Sequence, residues 1–183
     1  MKETEDLIKL PSLTFGQALK RALVNLNNNH RRVRRSEYWW CTLACVIYLA
    51  VFFGLRILLE DCLKINLSHV WGSWIQGLLI IPPIGLWATE SCGRLHDINR
   101  RDTWFGGMVY PLALIIIVAL GWVFATQQDI RTVTENAYVW AAICLLANVS
   151  LVLTVVCLVF FMKDSDKAQN DYGPSPKYVK DKK

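Results

Sequence analysis

Four long apolar stretches alternate with polar segments along the chain. They cover about residues 38–58, 70–88, 104–125 and 137–162, and Arg56 is the only charged side chain within them. Because a helix rises about 1.5 Å per residue, about 20 apolar residues span a hydrocarbon core of about 30 Å. None of the stretches shows the polar face of a soluble helix. The pattern predicts an all-α membrane protein, a bundle of four transmembrane helices.

A short amphipathic pattern precedes the first span, within the N-terminal segment 1–37. Thr14 and Gln17 have the spacing of a capping box, which predicts a helix over residues 14–26. We expect this helix to lie in the headgroup region, and the alternative is a helix packed on the cytoplasmic loops. Its apolar stripe consists of Phe15, Ala18, Leu19, Ala22, Leu23 and Leu26.

Basic residues fall mostly on one side of the predicted spans. Of the 20 lysines and arginines, 17 lie in segment 1–37, in the loop between the second and third spans, or in the tail 163–183. Because lysine and arginine resist translocation, this side is predicted to be cytoplasmic, with both termini. The tryptophans lie near span ends, as expected for interfacial residues. These patterns predict a multi-pass membrane protein whose termini are cytoplasmic.

Charged residues outside the spans indicate the surroundings of the protein. The run Arg31, Arg32, Arg34 and Arg35 directly precedes the first span, so we expect membrane lipids, through their anionic headgroups, to supply its counter-charge. A nucleic-acid partner is not predicted. The C-terminal tail is charged and contains Pro174 and Pro176, which predicts disorder after about Pro176.

The spans themselves offer little chemistry. No ionisable side chain lies away from their ends, which argues against a proton relay. Pro82 and Pro83 are expected to kink the second span, as packing or as a broken-helix site. In the fourth span Ala147, Ser150, Thr154 and Cys157 form a small-residue stripe typical of helix packing. The six cysteines show no metal or redox motif, and no cofactor is predicted.

The loop between the second and third spans has the densest functional groups. If the second helix continues past the membrane, Glu90, Arg94, Asp97 and Arg101 share one face. That alternation of signs predicts neighbouring ion pairs on an exposed connector, each worth tenths of a kcal/mol. With His96 alongside, the same groups allow binding of an anionic headgroup or acid–base chemistry.

Three ordered stretches resemble the bacterial inner-membrane family called domain of unknown function 805. Residues 34–40 (RRSEYWW) resemble its Arg-x-Ser-charged-Tyr-Trp start of the first span. Residues 94–100 (RLHDINR) are similar to its Arg-Leu-His-Asp signature before the third span, and residues 170–176 (NDYGPSP) to its Asn-x-aromatic-Gly close. Phe15 and Gly16 also resemble an early Phe and Gly of the family.

The resemblance implies a small multi-span inner-membrane protein without a known substrate, cofactor or mechanism. Residues 101–104 (RDTW) depart from the Ser-Gly-Trp-Trp that often follows the family's Arg-Leu-His-Asp. Two charges therefore replace small residues, and a function carried by that segment is in doubt here.

These patterns support three functional hypotheses. The first is a non-enzymatic module whose cytoplasmic face binds lipid headgroups or docks a membrane or cytoplasmic partner protein. The second is a small oligomeric pore or transporter using the helix with Pro82 and Pro83, and homo-oligomers are compatible with the sequence. The third is an enzyme acting on lipid headgroups. The residues predicted to form the binding surface are Arg35, Glu37, Arg94, His96, Asp97, Asn170, Tyr172 and Gly173.

Overall fold

The computed structural model describes residues 7–28, 30–59, 70–126 and 137–180. Over these residues the chain is mostly helical, with two short strands and five helices: β1 (Leu7–Lys9), α1 (Phe15–Val24), α2 (Arg35–Ile57), α3 (Val70–Asp97), α4 (Thr103–Thr126), α5 (Ala137–Met162) and β2 (Tyr178–Lys180). Helices occupy all four predicted apolar stretches. The loops with Lys64 and Arg131, and Cys62, lie outside the described residues, as do the side chains of Trp71, Trp74 and Trp122.

Two of the described helices are long and apolar enough to cross a bilayer by length and composition. They are Arg35–Ile57, with a mean hydropathy of 2.0, and Val139–Met162, with 2.7. Only 11% of the most apolar window of each helix is buried within the protein. A helix from the core of a soluble protein would instead bury most of such a window. The two helices indicate a membrane protein.

The chain divides into two compact units. The first contains Met1–Asn99 and Asp164–Lys183, and the second contains Arg100–Lys163. In the second unit α4 packs against α5. The hydroxyl of Ser150 donates to the Met108 carbonyl (2.8 Å), and the thiol of Cys157 donates to the Trp104 carbonyl (3.4 Å). The small-residue stripe of the fourth apolar stretch therefore packs as predicted at these two positions.

In the first unit, α1 begins with the predicted capping box and packs by one face. The Thr14 hydroxyl accepts from the Gln17 N–H, and the Gln17 side chain accepts from the Thr14 N–H. Ala18 and Ala22 are fully buried, and Ala22 belongs to a small core shared with α2 and α3. Leu23, by contrast, is exposed. The apolar stripe of α1 thus serves both as a packing face and as an outward apolar face.

The helix with the two prolines is continuous, because α3 runs from Val70 through Asp97. This counts against the broken-helix alternative, while the kink at Pro82 and Pro83 stays a prediction. Pro83 has no N–H to bond the carbonyl of Leu79, four residues earlier. The hydroxyl of Tyr48 on α2 donates to that carbonyl instead, at 3.0 Å. A neighbouring helix therefore satisfies the group that the proline leaves without its helical donor, and α2 and α3 are held together there.

The two chain ends pair as an antiparallel two-stranded sheet, with Leu7 opposite Lys180 and Lys9 opposite Tyr178. The Leu10 N–H extends the ladder by donating to the Lys177 carbonyl at 2.9 Å. The predicted disorder after Pro176 is therefore wrong for residues 177–180, and the fold is mostly helical rather than all-α. Strands of three residues carry almost no periodic signal, and their partners lie at opposite ends of the chain.

Candidate functional site

The polar end of α3 is the most deeply buried part of the described chain. Beyond the apolar stretch, α3 continues for about two turns to Asp97. The turn after the helix contains Asn99, whose φ of 54° is a left-handed conformation that asparagine tolerates. The buried residues of this segment are Glu90, Ser91, Gly93, Arg94, Leu95, His96 and Asp97.

Arg32 ties the C-terminal tail to this segment. Its Nε donates to Asp97 Oδ1 (3.2 Å), and its Nη2 donates to the carbonyls of Asp97 (3.2 Å) and Asp166 (2.8 Å). Its Nη1 donates to the carbonyls of Ala168 (3.1 Å) and Gly173 (2.9 Å). A guanidinium has five N–H groups, so every donor of Arg32 is used. The side chain is almost fully buried and fastens the tail in place.

Asp97 lies between two buried arginines. Its Oδ2 accepts from Nη1 of Arg94 at 2.6 Å, while Oδ1 faces Arg32. Burial raises the pKa of Asp97, and the neighbouring Ser165, Arg94 and Arg32 act against that rise. The pKa of Arg94 is lowered by burial and held up by Asp97. Each charge is thus compensated within the protein, which a buried ion requires.

Arg31 donates hydrogen bonds to two buried carboxylates. Its Nη1 donates to Glu37 at 2.7 Å, and its Nη2 donates to Oε1 of Glu90. The second oxygen of Glu90, Oε2, is buried and has no hydrogen-bond partner among the described residues. Burial raises the pKa of Glu90 to about 7, Arg31 opposes the rise and Glu37 adds to it. One arginine shared by two buried acids favours a protonated Glu90 near neutral pH.

His96 is covered by the tail. Its ring stacks on Tyr172, with centroids 3.8 Å apart, and its Nδ1 lies 3.4 Å from the Arg31 carbonyl. Asn170 donates to the His96 carbonyl (2.8 Å) and accepts from the Tyr172 N–H (3.0 Å). Gly173 closes this turn on Asn170 with a φ of 114°, which glycine adopts without strain. The Asn-x-Tyr-Gly sequence thus forms the turn that covers the histidine.

The structure brings the predicted site residues together but buries half of them. Glu37, Arg94, His96 and Asp97 are each at most 1% exposed, and Arg35 is exposed. Asn170, Tyr172 and Gly173 are half-buried in the tail turn. Whether these eight residues bind a ligand stays a prediction. We call the group formed by Arg31, Arg32, Glu37, Glu90, Arg94, His96, Asp97, Asn170 and Tyr172 the ionic cluster.

Three sequence-based interpretations need correction. Arg32 does not face lipid headgroups, because it is buried and all of its N–H donors are bonded within the protein. Of the ion pairs predicted along an exposed face of the second helix, Arg94–Asp97 forms but is buried, and Glu90 is bonded by Arg31 instead. Glu37 and Glu90 are buried carboxylates at the ends of the apolar stretches. The argument against a proton relay, which relies on the absence of ionisable side chains, therefore holds only within the stretches.

Sequence reasoning missed the central role of Arg31 and Arg32. The available signal was the presence of three carboxylates, Glu37, Glu90 and Asp97, beside apolar helices, where an unpaired charge is costly. Four arginines in residues 31–35 are the nearest set of counter-charges in the sequence. Pairing those two sets would have suggested an internal cluster.

A mostly helical chain with two long apolar helices and a buried ionic cluster at the polar end of α3 is compatible with an integral membrane protein of unknown activity. The chain belongs to the family described as "Protein of unknown function (DUF805)", which matches residues 26–174. This match confirms the resemblance seen in the sequence and includes every residue of the ionic cluster. Searches of curated proteins and of solved structures give no match.

Proposed function

We propose that this protein is a four-span protein of the bacterial inner membrane whose cytoplasmic side binds anionic lipid headgroups without catalysing a reaction. Four apolar helices of 23 to 28 residues support the four spans. The excess of lysine and arginine in both terminal segments and in the loop between α3 and α4 supports the cytoplasmic placement.

The proposal rests mainly on one observation. The hydrogen bonds and ion pairs of the ionic cluster hold the N-terminal segment and the C-terminal tail against the polar ends of α2 and α3. Residues 7–28, 30–37, 89–99 and 164–180 become one ordered surface, which we call the platform. Trp39 and Trp40, half-exposed at the start of α2, have the character of membrane-interface residues. An ordered, basic platform at that level lies where anionic headgroups are concentrated.

An enzymatic role has less support from the geometry. The acid–base candidates His96 and Asp97 are at most 1% exposed and are engaged with Tyr172, Arg32 and Arg94. A general acid or base must reach the atoms of its substrate. The arrangement therefore fits a structural cluster better than a catalytic one.

A pore or transporter is the second candidate, because a groove of about 560 Å³ lies beside the prolines of α3. Its walls include Leu19 and Leu23 of α1, Tyr48 of α2, and Pro82 and Pro83. This candidate predicts solute flux across liposomes containing the protein, altered by Pro82→Ala. Absence of flux for ions and small apolar solutes would remove it.

The proposed function is tested by native mass spectrometry of the protein released from nanodiscs with equal phosphatidylglycerol and phosphatidylcholine. We expect the wild-type chain to retain phosphatidylglycerol preferentially. Arg94→Ala leaves Asp97 with Arg32 alone and should weaken that preference, provided that circular dichroism shows intact helices. Arg56→Ala, at the opposite end of α2, is the matched control and should behave as wild type. Equal retention of both lipids by the wild-type chain would refute the proposal.

A further inference from the structure

A basic cleft opens at the N-terminus of α2, outside the ionic cluster. Its volume is about 160 Å³, and it lies entirely within the first unit. Four of its lining side chains are basic and one is acidic. The residues that matter for binding are Lys9, Arg34, Arg35, Ser36, Asp164 and Lys177.

The fold, rather than sequence proximity, assembles this cleft. The sheet places Lys9 opposite Tyr178, and the Leu10 N–H bonds the Lys177 carbonyl. Two lysines from opposite ends of the chain therefore meet beside the first turn of α2. Forming the cleft requires the tail that Arg32 holds in place.

Arg34 supplies unused donors at the cleft. The side chain is only 5% exposed, and its Nη2 donates to the carbonyls of Leu10 (3.0 Å) and Pro11 (2.8 Å). Its Nε and Nη1 have no partner among the described residues. Burial lowers the pKa of Arg34, and the positive charge of Arg21 lowers it further. A bound anion would therefore stabilise the charged form of Arg34.

The backbone adds to the positive potential. Arg34 is the N-cap residue of α2 and makes no side-chain capping bond. The start of a helix carries partial positive charge and N–H groups that favour an anion. Asp164 is the one carboxylate that lines the cleft, and Lys177 bonds it and lowers its pKa. With four basic side chains and one carboxylate among its lining residues, the cleft carries an excess of positive charge.

We infer that this cleft binds a phosphate group, held by Lys9, Arg34, Arg35 and Lys177 at the N-terminus of α2. The inference rests on the proposed function for one of its two sources, the headgroup of an anionic lipid. Free phosphate offers the same chemistry. Phosphate oxygens accept several charge-assisted hydrogen bonds at once, which matches the donor set of the cleft.

The test compares Lys9→Gln/Lys177→Gln with Lys20→Gln/Lys167→Gln in the full-length chain. The second variant removes two exposed cations of the same unit that do not line the cleft, so it reports general attraction to anionic surfaces. One arm measures retention of phosphatidylglycerol against phosphatidylcholine by native mass spectrometry. The other arm titrates inorganic phosphate into the detergent-solubilised protein by calorimetry. For the cleft variant we expect a loss of about tenfold or more in affinity for the phosphate-bearing ligand.

Each outcome is decisive. If only the cleft variant loses preferential retention of phosphatidylglycerol, the result supports a cleft that binds the phosphate group of a lipid. Loss of inorganic phosphate binding confined to that variant supports the cleft with free phosphate as source. Equal losses in the two variants, or no loss in either, overturn the cleft even if the wild-type chain prefers anionic lipid. A wild-type chain without lipid preference refutes the proposed function, and the phosphate arm alone then decides on the cleft.

Discussion

Gly93 is the residue at which the N-terminal segment lies closest to α3. The Val33 N–H bonds the Gly93 carbonyl at 2.9 Å. A Cβ at position 93 would overlap the Cγ2 methyl of Val33 and lie 3.2 Å from the Arg31 carbonyl. We expect Gly93→Ala to lower the free energy of unfolding by about 1–3 kcal/mol, as overpacking does. Thermal unfolding in detergent, followed by circular dichroism, measures the change.

Gly85, on the same helix, provides the control. A Cβ there meets nothing within 4 Å, so Gly85→Ala should be neutral or slightly stabilising. Val33→Ala, combined with Gly93→Ala, removes the overlapping methyl and should recover part of the loss. Equal effects of the two glycine substitutions would contradict the close packing of residues 31–33 on α3.

Glu90 should make stability depend on pH. Burial raises its pKa to about 7 in the folded chain, above its ordinary 4.5. Between these values the folded state holds more protons than the unfolded state, so stability should fall as the pH rises from 4.5 to 7. Glu90→Gln removes the titrating group and should reduce this fall. The free energy of unfolding, measured from pH 4.5 to 7 for the wild-type chain and for Glu90→Gln, gives the pH dependence of each.

Asp164→Asn is the control for the pH experiment. Hydrogen bonding to Lys177 lowers the pKa of Asp164 from its ordinary 3.8, so its titration falls below the window of Glu90. The control should keep the wild-type slope between pH 4.5 and 7. A Glu90→Gln variant with the same slope as the wild-type chain would show that Glu90 does not take up a proton on folding.

At the residue scale, the sequence predicted which residues lie close together but not that they are buried. His96, Asp97, Asn170 and Tyr172 were all selected from short motifs, and they lie together. Their burial could not be predicted, because it depends on a tail that folds back from about 70 residues away. Arg32 was missed because its five bonds include four to backbone carbonyls, which leave no pattern in the sequence.

At the element scale, the contact between α2 and α3 depends on a proline. Tyr48→Phe removes the donor to the Leu79 carbonyl and should lower the free energy of unfolding by about 0.5–1.5 kcal/mol. Pro83→Ala restores an N–H that can bond that carbonyl within the helix. In the Pro83→Ala background, Tyr48→Phe should therefore have a smaller effect. Unfolding of the wild-type chain, the two single variants and the double variant measures the coupling.

The measured coupling distinguishes a proline that contributes to helix packing from one that breaks α3 for a function. Additive effects of Tyr48→Phe and Pro83→Ala would show that the hydroxyl does not replace the missing N–H. Coupling would mean that the proline is integrated into helix packing. Cys45→Ala is a control on the same face of α2, because its thiol bonds the Pro83 carbonyl, which accepts with or without the proline ring.

Elements with long apolar runs were predictable, and the short strands were not. Helices cover the four apolar stretches because each stretch is uniform over about 20 residues. The capping box of Thr14 and Gln17 placed the start of α1 within one residue. The sheet joins Leu7–Lys9 to Tyr178–Lys180, and pairing between chain ends follows from the tertiary fold alone.

At the scale of the whole molecule, charge asymmetry and internal pairing have to be considered together. Arg31, Arg32 and Arg94 are neutralised by carboxylates within the platform. Their contribution to orientation is still expected, because insertion precedes folding of the cluster and lysine and arginine resist translocation individually. The same residues would then act first as topological signals and later as the bonds that order the platform.

Cysteine labelling measures the orientation of the platform directly. An impermeant thiol reagent applied to intact spheroplasts should label a variant that retains only Cys62, which lies between α2 and α3 in the sequence. A variant whose only cysteine is Lys167→Cys, at an exposed position of the tail, should react only after permeabilisation. Both cysteines should react in permeabilised cells, which controls for burial. Labelling of Lys167→Cys in intact spheroplasts would place the platform outside, where the anionic cytoplasmic leaflet could not supply its ligand.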